Sequence, residues 1–416
     1  MLLLCVGHAA SCDSAENYRY STDKAEPTLG KTIIGAALPI IDMVHWRACA
    51  VRQPGDAWCW GFADQPAASP ARIESPKALR SLTVSSSAET CSCDLAGTVR
   101  CWGYRGHVGA QPGDPLDPYS PRVPLCRTVA GGDGRVCSLS VAGEVHCWGI
   151  GETRSRMARV RGIPVVGQRN GEPPSRTPPW FEEAVHIGDF EDIVALDVRA
   201  HACAVDGEGR VFCWGNDASG QLSSGPLEGT VVRVPLPAPA ADVAVGHDHS
   251  CALGREGRVW CWGRSQFTPC PLFVAAQRRR QECTDARPRE IGRFPGARSI
   301  AAGAQRACVV TAAGDLVCWG RPFGDLISHV MRDRSGGGFA PGVAPAVQAR
   351  DVAAVALDLD DGCLVSTSGE VRCWGRIVGQ HTLGESDPYP PEEPPSPDLF
   401  EPPGVVIRLP PQQRGP

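Results

Sequence analysis

Short runs of apolar residues, interrupted by single polar ones and closed by glycine or a polar turn, recur along the chain. Asp242-Val243-Ala244-Val245 ends at Gly246, and Cys251-Ala252-Leu253 ends at Gly254. Val259-Trp260-Cys261-Trp262 then ends at Gly263, and an extended piece, Val231-Val232-Arg233-Val234-Pro235, lies upstream. Ser299-Ile300-Ala301-Ala302-Gly303 repeats the first of these runs further on. Segments of this length between turn residues read as β-strands. With 47 Gly and 38 Pro in 416 residues, turns are frequent and long helices are not expected. One repeat therefore reads as three or four short strands.

The repeat has a fixed mark. Cys-Trp-Gly begins at Cys59, Cys101, Cys147, Cys213, Cys261, Cys318 and Cys373, at spacings of 42, 46, 66, 48, 57 and 55. The short spacings suit one four-stranded propeller blade, and the long ones a blade with an insertion. Ten residues before each stands a second cysteine, giving Cys49/Cys59, Cys91/Cys101, Cys137/Cys147, Cys203/Cys213, Cys251/Cys261, Cys308/Cys318 and Cys363/Cys373. Six residues after each first cysteine comes a glycine: Gly55, Gly97, Gly143, Gly209, Gly257, Gly314 and Gly369. If Gly254 pairs with Arg258, the loop is the three residues Arg255 to Gly257, which asks for a left-handed final residue. Counting outward, Cys251 then faces Cys261, close enough for a disulfide. Seven cross-strand disulfides follow, with seven reduced pairs in the blade cores as the alternative.

The fold expected is all-β, a seven-bladed β-propeller of four-stranded antiparallel blades over residues 38–410. Val405-Val406-Ile407-Arg408-Leu409 looks like the extended piece that opens other repeats, a piece the first repeat lacks. It is expected to complete the first blade and close the ring. Insertions are expected at about 151–183 and 265–293. Residues 13–37 read as a linker and 411–416 as a tail. Residues 1–12 are apolar and end in small residues, like a signal-peptide remnant, and Ala9-Ala10-Ser11-Cys12 is lipobox-like, which makes Cys12 a bacterial lipidation candidate.

Twenty cysteines without paired C-x2-C zinc spacing favour an oxidising compartment, hence a secreted or envelope-anchored protein. Cys270 and Cys283 are expected to pair, and Cys93 and Cys126 are left to pair across the second and third repeats. A net charge of −5 gives no footprint for nucleic acid. Lys24, Lys31 and Lys77 are the only lysines, a skew toward arginine that reflects codon usage. No stretch reaches the ~20 apolar residues of a spanning helix.

Cys213-Trp214-Gly215-Asn216-Asp217-Ala218-Ser219-Gly220-Gln221-Leu222, with His249-Ser250-Cys251-Ala252-Leu253 in the next repeat, resembles the regulator of chromosome condensation repeat family. The resemblance covers roughly Pro39 to Leu409 and is specific in the fourth and fifth repeats. It implies a seven-bladed propeller of four-stranded blades. The family's nuclear founder is a guanine-nucleotide exchange factor that binds chromatin, and the fold also includes a secreted bacterial inhibitor of β-lactamase. Protein binding is the family-level expectation, although fold alone does not fix function.

The tryptophans of Cys-Trp-Gly are expected to pack between blades rather than to line a sugar site. Function is sought in the insertions, which carry Trp180, Phe181 and the triplet Arg278-Arg279-Arg280 as candidate partner-binding residues. Asp358-Leu359-Asp360-Asp361-Gly362 lacks a complete calcium pattern and reads as a polar turn. No nucleophile elbow, phosphate loop or His-Glu-x-x-His is present, so no catalytic residue, metal or cofactor is assigned. The leading reading is a non-enzymatic scaffold for an unknown protein partner. A lectin-like glycan-binding module and a hydrolase or lyase in the propeller channel are the alternatives.

Overall fold

A computed structural model describes residues 40–44, 47–52, 56–61, 70–73, 78–85, 90–102, 120–149, 184–188, 192–223, 231–264, 284–304, 306–320, 346–359, 361–374 and 405–407. These residues form seven antiparallel sheets, six of four strands and one of three, and contain no helix. The sheets are the seven blades of a propeller. The innermost strands are Ile40–Val44, Leu79–Val84, Cys126–Gly131, Ile193–Val198, Ala240–Val245, Ala297–Ala302 and Val352–Asp358. Each leads into a second and a third strand that form the Cys-Trp-Gly hairpin, as His249–Gly254 and Arg258–Arg264 do in the fifth blade. The second blade is the three-stranded one among the described residues.

The hairpin register follows the cysteine spacing. Cys251 faces Cys261 and Leu253 faces Val259. All seven hairpin pairs are disulfides, with Cα atoms 4.0–4.1 Å apart. That is near the spacing of a non-hydrogen-bonded antiparallel pair. Six of the seven turn glycines are described, and their φ lies between +78° and +86°. A side chain there would be strained, which is why glycine recurs at this offset. An eighth disulfide, Cys93–Cys126, joins the second strand of the second blade to the inner strand of the third.

Two expectations are corrected. The extended piece closes its own repeat instead of opening the next: Val232 lies opposite Cys213, in the outer strand of the fourth blade. Val405 likewise lies opposite Cys373, so Val405–Ile407 is the outer strand of the seventh blade, not of the first. The first blade takes its outer strand, Ala71–Ile73, from the chain that follows its own hairpin. An edge next in sequence is satisfied at the smallest loop-closure cost. The ring therefore closes without an exchanged strand. Ile41, Met43, Ala48, Ala50 and Trp60 of the first blade pack in one cluster with Ala356, Cys363, Val365 and Cys373 of the seventh. The second correction concerns the insertion at 265–293, where Thr284–Arg293 is the outer strand of the fifth blade.

The same packing recurs between neighbours. Trp214 lies in a cluster with Leu139 and Val145 of the third blade, and Trp262 with Val205 and Val211 of the fourth. Trp319 and Trp374 also pack onto the preceding blade. Polar bonds complete the seams. Asp42 accepts from Thr83 Oγ1 at 2.7 Å and from the Val84 amide at 3.1 Å. Asp197 accepts from the Val245 amide at 2.7 Å, and Ser81 Oγ from the Val129 amide at 3.0 Å. In a low-dielectric seam such satisfied bonds fix register as well as affinity between blades.

Candidate functional site

The propeller has two faces, and the chain builds them differently. One carries the tight hairpin turns, six of them among the described residues. On it the turn glycine carbonyl of one blade accepts from the amide at or just before the next inner strand. Gly97 bonds Cys126 at 2.8 Å, Gly143 bonds Ile193 at 3.1 Å, Gly209 bonds Ala240 at 2.9 Å and Gly314 bonds Val352 at 2.9 Å. The turns of the second to sixth blades are thus each linked to the blade that follows.

Leu95, Leu125 and Val141 are the exposed large apolar residues among those described, at 60%, 59% and 59%. All three lie together on this face. Leu95 and Val141 occupy the same turn position in the second and third blades. Leu125 sits between them: its carbonyl accepts from the Val141 amide at 2.9 Å. Its Cβ is 3.1 Å from where a Cβ on Gly97 would stand. The same turn position holds Gly207, Arg255, Ala312 and Thr367 in the fourth to seventh blades. Arginines flank the apolar group. A bulge one residue into each inner strand turns out Arg80 in the second blade and Arg127 in the third. Arg80 donates to the Leu95 carbonyl at 3.2 Å, and Arg122 is exposed nearby in sequence.

The opposite face carries the turns from inner to second strand. Arg199, in the fourth blade, is buried here. It bonds the Val245 carbonyl of the fifth blade at 3.1 Å and, in the seventh, the Leu357 carbonyl and the Asp358 carboxylate. Blades four and seven are as far apart as a ring of seven allows, so this side chain crosses the axis. Burial pulls its pKa down, but Asp358, Asp197, Asp42 and Asp133 together hold it above the ordinary value. The third blade presses close, since a Cβ on Gly132 would stand 2.2 Å from Arg199 Cα. The groups that converge on the axis are therefore engaged with one another.

Beside this pair, His247 Nδ1 lies 3.4 Å from Asp248, and Arg264 lies 3.5 Å from the other Asp248 oxygen. The hydrogen bond to Asp248 raises the pKa of His247, and the same bond lowers that of Asp248. Two deeper histidines behave oppositely. Burial drives His201 well below its ordinary value and His249 down to about 4. His201 Nε2 donates to Ser250 Oγ at 2.7 Å, because the Ser250 proton goes to the Gln221 carbonyl at 2.9 Å. Trp262 Nε1 donates to the same carbonyl at 2.8 Å. Gln221, Ser250 and Trp262, among the residues most typical of the repeat, thus join the fourth blade to the fifth and are structural.

This second face is also where the chain travels between third and outer strands. Gly149 pairs with Arg135, Gly215 with His201, Gly263 with His249 and Gly320 with Arg306, each at the inner-turn end of the blade. The connection containing 151–183 leaves and returns there, between Gly149 and Ala184, and so does the one between Arg264 and Thr284. Trp180, Phe181, Arg278, Arg279, Arg280, Cys270, Cys283 and Cys12 lie outside the described residues. The sequence reading missed the apolar group on the turn ring. Comparing the turn position across repeats finds it, since that position turns apolar at Leu95 and Val141. It also missed Arg199, whose partners are 46 to 159 residues away.

Among the described residues no group of three or more His, Cys, Asp or Glu could hold a metal ion, and no helix is long and apolar enough to cross a membrane. Two sequence profiles described as regulator of chromosome condensation (RCC1) repeat match the chain, one at residues 208–253 and one at 240–267 and 297–323. No curated protein matches significantly over the chain. Among solved structures, Prp20p from Saccharomyces cerevisiae, described with its binding to Gsp1p and histones, is 17% identical with a TM-score of 0.57. That similarity covers 77% of this chain and 80% of that one. Yeast RCC1 (Prp20) bound by Kap60 is 18% identical with a TM-score of 0.56, covering 76% and 77%. Human WBSCR16 is 17% identical with a TM-score of 0.54, covering 76% and 81%. At these identities the fold is what is shared.

Proposed function

We propose that this chain, which belongs to the regulator of chromosome condensation repeat family, is a non-enzymatic extracellular scaffold that docks a protein partner on its hairpin-turn face. The observation that carries this reading is the apolar group of Leu95, Leu125 and Val141, exposed on adjacent turns and flanked by arginines. Exposed apolar side chains gathered at one place on a rigid body favour a protein interface. The partner surface that fits is apolar with an acidic rim, because Arg80 bonds the Leu95 carbonyl and Arg122 and Arg127 lie close to Leu125 in sequence. Eight buried disulfides support an oxidising location. We propose Trp180, Phe181 and Arg278 to Arg280, which lie outside the described residues, as further candidates for partner binding. A glycan site in the Cys-Trp-Gly ring is disfavoured, since Trp60, Trp148, Trp214, Trp262, Trp319 and Trp374 are buried between blades.

Affinity capture from the native extracellular fraction tests the reading. Three baits are compared with the natural chain: L95E/L125E/V141E, a deletion of 151–183 and a deletion of 265–283. The turn-face variant is expected to lose its main partner, by tenfold or more in recovered amount. Loss in a deletion alone would move recognition to the opposite face and overturn the docking assignment. Retention by all three would overturn both surfaces.

A further inference from the structure

We infer that His146 and His186 form a two-imidazole site for a divalent transition metal, zinc or copper in class, on the outer edge of the third blade. The two residues are directly opposed, His146 in the third strand and His186 in the outer strand. Their ring centroids are 5.0 Å apart and the planes are tilted by 44°. A directly opposed pair on an antiparallel ladder holds two imidazoles side by side on a rigid backbone, within reach of a single ion. Imidazole nitrogen suits zinc, copper and nickel, and not magnesium or calcium.

Two further observations point to an ion rather than to simple stacking. His146 Nδ1 is buried with no hydrogen-bond partner among the described residues. A buried imidazole nitrogen left unpaired is costly, and an environment that supplies an ion removes that cost. Glu144, two residues before His146 and just ahead of its strand, adds negative charge that favours a cation. Glu144 is not close enough to complete a three-ligand group. The remaining coordination positions therefore go to water or to atoms of a bound partner, as at an open site.

The placement gives the ion a structural consequence. The outer strand Val185–His186 is two residues long, with the register His146↔His186 and Cys147↔Val185 and one further bond from the Ile187 amide to the Val145 carbonyl at 2.9 Å. It begins where the chain returns from residues 150–183. An ion across the histidines would fasten that return to the disulfide-bonded third strand.

The test uses the full-length oxidised chain, freed of metal by chelation and titrated with Zn2+, Cu2+, Ni2+ and Mg2+. One equivalent of Cu2+ and of Zn2+ is expected to bind, copper more tightly and Mg2+ not at all. H146Q and H186Q should each lose about tenfold or more in affinity. An isotope-labelled histidine spectrum of the unaltered protein gives a readout independent of the variants. Zn2+ should shift the ring signals of His146 and His186 first. Equal binding by both variants, binding of Mg2+ as strong as Zn2+, or first shifts at other histidines would overturn the site. Loss of the metal with full partner capture would leave the docking surface untouched, so the two readings fail separately.

Discussion

Arg199 reaches two other blades from a buried position, and its charge is held by Asp358 on the far side of the ring. Removing one member of a buried pair leaves the other unpaired, which costs about 3–5 kcal/mol. R199M should lower the stability of the oxidised protein by that amount in thermal or urea unfolding. R199M together with D358L should recover most of it, because a neutral apolar pair no longer strands a charge. A double-mutant cycle giving additive losses would contradict the cross-axis pairing. His249 makes a separate prediction at this scale. Its folded value of about 4 lies below the ordinary 6.5, so the unfolded chain binds the proton first as pH falls. Its contribution is complete above about pH 6.5 and is lost progressively toward pH 4, on the order of 3 kcal/mol in all. His201 acts in the same direction. H249Q should flatten the acid limb of a stability-versus-pH curve, and an unchanged slope would show that the imidazole is not held neutral.

At the scale of the element, the hairpin was legible from its cysteines and glycine. Two opposed Cys and one left-handed residue leave a single register, and the φ of +78° at Gly257 meets that demand. The outer strand was not legible in phase. Val231 to Pro235 reads equally well as the last strand of one blade or the first of the next, since a lone extended run carries no partner information. Val405 to Leu409 inherited that ambiguity, and so the ring was closed on the wrong blade. The Cys93–Cys126 bond spans 33 residues against 10 in each hairpin. Loop-closure entropy then gives it about 3.7 kcal/mol against about 2.7 kcal/mol for a hairpin bond. C93A/C126A should therefore destabilise more than C251A/C261A in the same unfolding measurement. The reverse order would mean that blades two and three are already joined without it.

For the whole molecule, the repeat count announced seven blades and the packing tryptophans, but not which surface differs from its neighbours. That difference appears when the turns are set side by side on the ring. Leu95 and Val141 stand where Gly207, Arg255, Ala312 and Thr367 stand elsewhere, with Leu125 between them. The insertions were legible as breaks in spacing. Their common exit on the opposite face follows only from strand register, which composition does not contain. A rigid disulfide-bonded ring with an apolar sector on its turn face suits recognition by docking, with little shape change on binding. The most direct measurement is site-specific photo-crosslinking in the native extracellular fraction. A photoreactive residue is placed singly at 95, 125 and 141, and for comparison at 255, 312 and 367, the last three on the same face but polar or small. Crosslinks to one partner protein concentrated at 95, 125 and 141 are the predicted result. Equal yields at all six positions, or yields higher at 255, 312 and 367, would contradict docking on the second and third blades.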